Sequence, residues 1–337
     1  MKKLNWGLLA AGSIAADFAQ GVKESETGEL GAVAARSGDR AAEFAARHGV
    51  PNSYGSYDEL LSDDEIDIVY ISTPHPLHAE WAIKAADAGK HVLCEKPLTL
   101  TRADAKKVVK AARRNDVFLM EAYMYRIHPQ IRLMTELIDS GVLGEVRAVD
   151  VTFSYDSGDS APERLTDPAL GGGGILDVGG YCTSVARLVS EAATGTKAVV
   201  PSEVSGMARL DPVTGVDEFA MGLLRLPGDI IAQLSCGFRL RQDDHIRVYG
   251  TEGQLHIPRP PWLFGMRKPG VTSRIEVTSA EGDVEIMEVE AREGLYAREA
   301  DYVAAHIAER QAPELSWAET LANMRTLDLW REAAGVA

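Results

Sequence analysis

The chain has 337 residues, 45% of them hydrophobic and 25% charged, enough apolar content for a core in each of two ordinary domains. A net charge of -15 disfavours nucleic acid and anionic membranes as partners, so an anionic ligand must be held by local positive groups. Cys94, Cys182 and Cys236 are odd in number and lack metal-ligand spacing, and they read as reduced core thiols of a cytoplasmic protein.

Met1-Lys2-Lys3 followed by an apolar stretch mimics an export signal, but Asn5 and Asp17 interrupt it. No run approaches the ~20 apolar residues that span a bilayer. From there, short apolar runs alternate with helical patterns. Strands are predicted at Leu4–Ala11, Leu30–Ala35, Ile66–Ser72, His91–Cys94 and Val117–Ala122, and helices at Ile14–Lys23, Asp39–Arg47, His78–Ala88 and Thr101–Asn115. The run at 66–72 is almost wholly apolar, as in a strand buried on both faces. This alternation predicts an α/β unit, a parallel doubly wound sheet over residues 1–122.

The rhythm then changes. A helix at Pro129–Ser140 precedes an alternating strand at Glu145–Tyr155, and further strands are expected at 203–210, 217–226, 230–238, 245–249, 254–257, 274–278 and 284–289. Helices at Tyr296–Arg310 and Ala318–Ala334 close the chain. Residues 123–337 therefore read as an α+β domain with an open, largely antiparallel sheet.

The first strand runs into Ala10-Ala11-Gly12-Ser13-Ile14-Ala15 as the first helix opens. Set against G-x-G-x-x-G/A, the fingerprint of a dinucleotide turn, it lacks the first glycine but keeps the central one, which lets a pyrophosphate approach the helix N-terminus. Gly12, Ser13 and Ile14 are thus cofactor candidates. At the end of the second strand, where an NAD-preferring site usually carries a carboxylate, stands Arg36, followed by Ser37 and, one turn on, Arg40. Guanidinium groups suit a 2'-phosphate, so NADP(H) is expected over NAD(H). Ser72-Thr73-Pro74 ends a strand where ligands bind in such sheets, and His75 and His78 follow. The two histidines have no companion at metal-ligand spacing; one of them lining the cofactor cleft is the expectation, and a helix cap is the alternative.

Glu95-Lys96-Pro97 follows the strand His91–Cys94, and Gly171-Gly172-Gly173-Gly174 runs into Ile175-Leu176-Asp177-Val178-Gly179-Gly180-Tyr181. Ser-Thr-Pro with a nearby His, then Glu-Lys-Pro, then a glycine run leading to Asp-x-Gly-x-Tyr, resembles the glucose-fructose oxidoreductase / inositol dehydrogenase (Gfo/Idh/MocA) superfamily. The segment Glu121–Pro129 resembles the branch of dimeric dihydrodiol dehydrogenases and NADP-linked xylose dehydrogenases. The resemblance implies an N-terminal Rossmann domain, a C-terminal open-faced sheet, and NAD(P)-dependent oxidoreduction of sugars or related polyols. It implies catalysis by Lys96 and Tyr181, with Asp177 as companion. Ala10 in the turn and Gly180 before the tyrosine depart from the family pattern.

The chemistry is consistent with those roles. Oxidising an alcohol needs a base for the hydroxyl proton while hydride leaves the same carbon. Free tyrosine, at pKa about 10, is a poor base at neutral pH, and a neighbouring Lys96 or a helix N-terminus near Asp177 would improve it. Asp177 would oppose that effect, and is assigned to substrate hydroxyls or to anchoring Lys96. The glycine run is expected to let backbone approach nicotinamide and substrate. Glu95 and Arg126 are further cofactor candidates; Tyr155, Arg164 and His245 are candidates for the substrate pocket. The leading expectation is hydride transfer with an aldose, polyol or dihydrodiol. Reduction of a keto-sugar or dicarbonyl is a second reading, and a catalytically silent NADP-binding regulator a third. A homodimer through the exposed sheet face is expected.

Overall fold

The computed structural model describes residues 3–158, 160–258 and 269–336; Met1 and Lys2, weighed above as the start of an export signal, lie outside them. Six strands, β1 (Leu4–Leu9), β2 (Gly28–Ala34), β3 (Asn52–Tyr54), β4 (Ile68–Ile71), β5 (His91–Cys94) and β6 (Leu119–Glu121), form one sheet in the order β3-β2-β1-β4-β5-β6. Every neighbouring pair is parallel. The helices α1 (Ser13–Glu24), α2 (Gly38–His48), α3 (Tyr57–Leu61), α4 (His78–Asp87) and α5 (Arg102–Arg114) connect them. All four residues of β4 are buried, as its apolar run requires. Strand order reverses between β1 and β4, and such a reversal opens a ligand crevice at the carboxyl ends of the strands. β3 and α3, too short to show a period, are additions to the elements predicted above.

The second unit begins with α6 (Pro129–Asp139), β7 (Val146–Ser154) and α7 (Glu163–Thr166). A single wide π-type turn, Ile175–Gly179, then feeds into α8 (Gly180–Thr194). Strands β8 (Glu203–Leu210), β9 (Asp217–Leu226), β10 (Ile230–Gly237), β11 (His245–Gly250), β12 (Gly253–Pro258), β13 (Val271–Ser279) and β14 (Val284–Ala291) join β7 in the order β14-β13-β12-β11-β7-β10-β9-β8. Only the β7–β10 pair is parallel. Alternation along β7 splits the sheet into two faces. Val149, Val151 and Phe153 are buried toward α8, whereas Met207, Met221, Leu223 and Ile231 stand exposed on the opposite face.

α9 (Leu295–His306) and α10 (Trp317–Ala333) return to the first unit. α9 lies so close to α1 that a side chain at Gly21 would fall 2.4 Å from Tyr296 Cβ. Asp301 accepts hydrogen bonds from the Ser25 and Thr27 hydroxyls. Leu119 of β6 donates its N–H to Arg310 O and accepts from Trp317 Nε1, so the segment between these helices covers an otherwise open edge of the parallel sheet. No helix among the described residues is long and apolar enough to cross a membrane.

Candidate active site

Three turns leave the carboxyl ends of β1, β4 and β5 side by side. After β1, Ala10 takes φ +101°, the backbone region that favours glycine, and Gly12 caps α1 with no side-chain bond to the first-turn amides. No atom lies within 4 Å of where a Cβ on Gly12 would sit, so the turn faces open space. Ser13 is exposed and Ile14 half-buried beside it. After β2, Arg36 and Arg40 are exposed around half-buried Ser37, and neither arginine is paired with a carboxylate among the described residues. After β4, the Ser72 and Thr73 hydroxyl oxygens are buried without a partner. Uncapped amides, orphaned hydroxyls and unpaired guanidinium groups along one sheet edge fit a phosphorylated dinucleotide.

The turn after β5 carries Lys96, and buried side chains grip its backbone. The Lys96 N–H donates to Glu95 Oε2 at 3.3 Å, while Glu95 Oε1 accepts from the Tyr70 hydroxyl at 2.5 Å. The Leu98 N–H donates to Glu121 Oε1 at 2.8 Å, and Pro97 O lies 2.9 Å from His78 Nδ1. From this base the Lys96 ammonium crosses to the second unit. It donates to Asp177 O at 2.6 Å, stands 3.8 Å from Asp177 Oδ1, and lies 5.0 Å from the centroid of the Tyr181 ring.

Asp177 and Tyr181 are held as tightly from their own side. Asp177 accepts from the Tyr155 hydroxyl at 2.5 Å and from Arg164 Nη1 at 2.8 Å. Burial alone would raise its pKa, but Lys96 and Arg164, with the hydrogen bonds from Tyr155 and Arg164, hold it down to about 2. Tyr181 is boxed by Tyr123, Tyr125 and Phe153, with ring centroids 5.2, 5.7 and 5.4 Å away. The turn that leads to them is capped from a distance: Asp217, at the start of β9 and only 1% exposed, accepts the Ile175 N–H at 2.7 Å. Burial pushes the Asp217 carboxyl up to about 7 despite the N–H groups it accepts. Half-buried His75 faces the same charges, and burial, His78 and Lys96 lower its pKa to about 3, which keeps it neutral.

Several expectations change. The glycine run is shaped by the protein itself. A Cβ on Gly171 would meet Leu100 at 2.4 Å, on Gly172 the Leu165 carbonyl at 2.7 Å, and on Gly173 (φ +111°) Asp217 Oδ1 at 2.1 Å. Gly180 likewise leaves room for the Tyr123 hydroxyl, which a Cβ at that position would meet at 2.2 Å. Arg126 does not face the cofactor crevice: it is buried, donating to Glu314 O at 2.7 Å, with Ser184 Oγ at 3.4 Å and Glu319 at 3.9 Å. His245 lies on the far face of the large sheet from Tyr181. It is in register with Thr152, and its Nε2 is 3.0 Å from Asp150, whereas Phe153, of opposite parity on β7, touches Tyr181. His78 is fully buried with each ring nitrogen on a backbone carbonyl, so of the two histidines His75 is the one nearer the cleft surface. Cys94, Cys182 and Cys236 are all buried, and burial raises each thiol pKa, as core packing demands. Among the described residues no group of three His, Cys, Asp or Glu side chains could hold a metal ion.

Residues 4–123 match the model of the oxidoreductase family with an NAD-binding Rossmann fold, and residues 131–256 match the Gfo/Idh/MocA C-terminal domain. The chain belongs to the Gfo/Idh/MocA oxidoreductase family. It is 34% identical to the D-xylose 1-dehydrogenase (NADP(+)) 2 of Haloferax volcanii over 98% of this chain and 97% of that one. It is 35% identical to the trans-1,2-dihydrobenzene-1,2-diol dehydrogenase of Bos taurus over 77% of this chain and 75% of that one. Among solved structures, a 3-ketoreductase from Actinomadura kijaniata in complex with NADP superposes with a TM-score of 0.87 at 26% identity, covering 98% of each chain. Variants of that enzyme with one lysine or one tyrosine replaced also match. The relatives named here are dehydrogenases and reductases, and the model matched by residues 4–123 is that of an NAD-binding Rossmann fold.

Proposed function

We propose that this Gfo/Idh/MocA protein is an NADP(H)-dependent oxidoreductase that transfers hydride between the nicotinamide and a CH–OH or C=O group of a sugar, polyol or dihydrodiol. One observation carries the reading: the Lys96 ammonium from the Rossmann unit, seated on the Asp177 carbonyl, faces the Tyr181 ring from the second unit at 5.0 Å. Sugar and diol dehydrogenases among the relatives support the substrate class. Support for NADP(H) comes from Arg36 and Arg40, unpaired with carboxylates, and from the NADP-linked relatives.

When bound, NADP+ supplies the hydride acceptor. Gly12, Ser13 and Ile14 would hold its pyrophosphate at the start of α1, Arg36, Ser37 and Arg40 would take the 2'-phosphate, and the turn Ser72–Pro74, with the orphaned Ser72 and Thr73 hydroxyls, would adjoin it, with Glu95 behind Lys96. Tyr181 receives the substrate hydroxyl proton, or returns it during reduction. Lys96 stabilises negative charge on the phenol oxygen. Asp177, kept ionised, aligns Lys96 and Arg164, while Tyr155 and Arg164 border the substrate. The Actinomadura kijaniata enzyme favours a place for keto-sugar reduction within the same chemistry, run in the opposite direction. The exposed sheet face is assigned to a homodimer contact.

The test is a turnover screen with NADP+ and NAD+ against aldoses, inositols, anhydrosugars and dihydrodiols, followed by Tyr181→Phe and Lys96→Met. Loss of a proton-transfer group lowers kcat by about 100-fold or more, while NADP+ binding stays within about threefold of wild type. Near-normal turnover in either variant overturns the assignment of roles, and a lower KM for NAD+ than for NADP+ overturns the cofactor preference.

A further inference from the structure

We infer that His78 is a positioning residue that locks the cofactor-side turn Ser72–Pro74 to the turn carrying Lys96. The inference rests on the function proposed above. His78 is the first residue of α4 and has no solvent exposure. Its Nε2 lies 2.8 Å from Thr73 O, and its Nδ1 lies 2.9 Å from Pro97 O. The two carbonyls belong to different turns. One follows β4 and carries the buried, orphaned Ser72 and Thr73 hydroxyls, and the other directly follows Lys96. β4 and β5 are paired with Ile71 opposite Cys94, so Thr73 and Lys96 each stand two residues beyond the same rung. A planar ring set between the two carbonyls, within 2.9 Å of each, spans the gap between the turns.

Carbonyl oxygens only accept, so each ring nitrogen can act here only as a donor. A neutral imidazole carries one N–H, and the tautomer decides which turn is held; both links close together only on the protonated ring. Burial, with the Lys96 charge, outweighs the two carbonyls and lowers its pKa, so the neutral ring, holding one turn at a time, is favoured. His75, packed on the ring at 5.5 Å, is the other titratable neighbour. Either way the ring has no polar atom left over for a ligand, and it acts only through the turns that it joins.

Asparagine and glutamine separate the two links, because an Asn amide nitrogen falls where Nδ1 was and a Gln amide nitrogen where Nε2 was. His78→Asn therefore keeps the Lys96 turn and releases the cofactor turn; His78→Gln does the reverse. Loss of one buried hydrogen bond is read as about a tenfold effect. His78→Asn is expected to weaken NADP+ binding about tenfold by fluorescence titration with kcat within about threefold of wild type. His78→Gln is expected to lower kcat about tenfold with NADP+ affinity nearly unchanged. If both quantities move together in both variants, or neither moves, the inference is overturned. Should neither variant fold, wild-type protein labelled with 15N-histidine decides: the slowly exchanging ring N–H of His78 shifts on saturation with NADP+, and a signal blind to NADP+ overturns the inference. If wild-type protein turns over no substrate, the proposed function fails, yet the titration and the NMR experiment still judge the clasp.

Discussion

Asp177 and Glu121 are two carboxylates buried to a similar degree near Lys96, and their surroundings drive them in opposite directions. At Asp177, burial is outweighed by Lys96, Arg164 and two hydrogen bonds, so the group stays ionised at about 2. At Glu121, burial wins over the Leu98 N–H and more distant cations, and the pKa rises to about 7. The sign of the consequence follows from linkage. A carboxyl whose folded pKa exceeds its unfolded value of about 4.5 favours the fold below that value, and the contribution is lost as pH rises toward 7. Ionising Glu121 at pH 7 therefore costs at most about 3 kcal/mol. Glu121→Gln keeps an acceptor for Leu98 and cannot ionise. It is expected to flatten the fall in denaturation free energy between about pH 4.5 and 7, measured by urea titration, and a slope equal to that of wild type would count against this account. Asp177 was legible in the chain because it stands in a motif four residues before Tyr181. Glu121 and Asp217 were not, since each serves a turn far away in sequence, Leu98 or Ile175, and nothing in the residues around it marks that distant N–H.

Among the elements, the β1–α1 turn shows how a degenerate motif is accommodated. The missing first glycine is Ala10, and the backbone there nevertheless adopts φ +101°. A non-glycine residue in such a region stores on the order of 1–3 kcal/mol, part of which glycine would return to its larger unfolded-state entropy. Ala10→Gly is thus expected to stabilise the protein by about 1 kcal/mol, raising the thermal midpoint without weakening NADP+ binding; an unchanged or lower midpoint contradicts the strain. The parallel alternation of strands and helices could be read directly, because buried strands are continuous apolar runs and the helices between them carry a period. The glycine run could not. Four glycines look like a loop opened for a ligand, whereas three of them make room for Leu100, the Leu165 carbonyl and Asp217. A glycine reports that something approaches closely, not what it is.

On the scale of the whole molecule, the large sheet has one face sealed by α8 and α10, and among the described residues no helix covers the other. Gly206 and Gly222 seat the Trp330 ring on the inner side, which sends Met207, Met221 and Leu223 outward, where they are 82, 46 and 49% exposed, with Ile231 alongside at 36%. Toward the other edge this outer face becomes polar, with His245 beside Asp150 and His256 bonded to Glu276 across adjacent strands. An apolar patch next to hydrogen-bonded polar pairs on a broad sheet has the make-up of an interface core and rim. Closed twofold association is the commonest way to cover such a patch. This also gives His245 a place: alternation alone puts it on β11, whereas the face that it presents depends on where α8 packs. Leu223→Arg places a charge in the centre of the apolar patch without touching the inner face or the Lys96–Tyr181 site. Sedimentation velocity should find wild-type dimers and a predominantly monomeric variant whose thermal midpoint falls only to the extent that dimerisation had raised it. A monomeric wild type would remove the homodimer, and a variant that stays dimeric would move the contact to another surface.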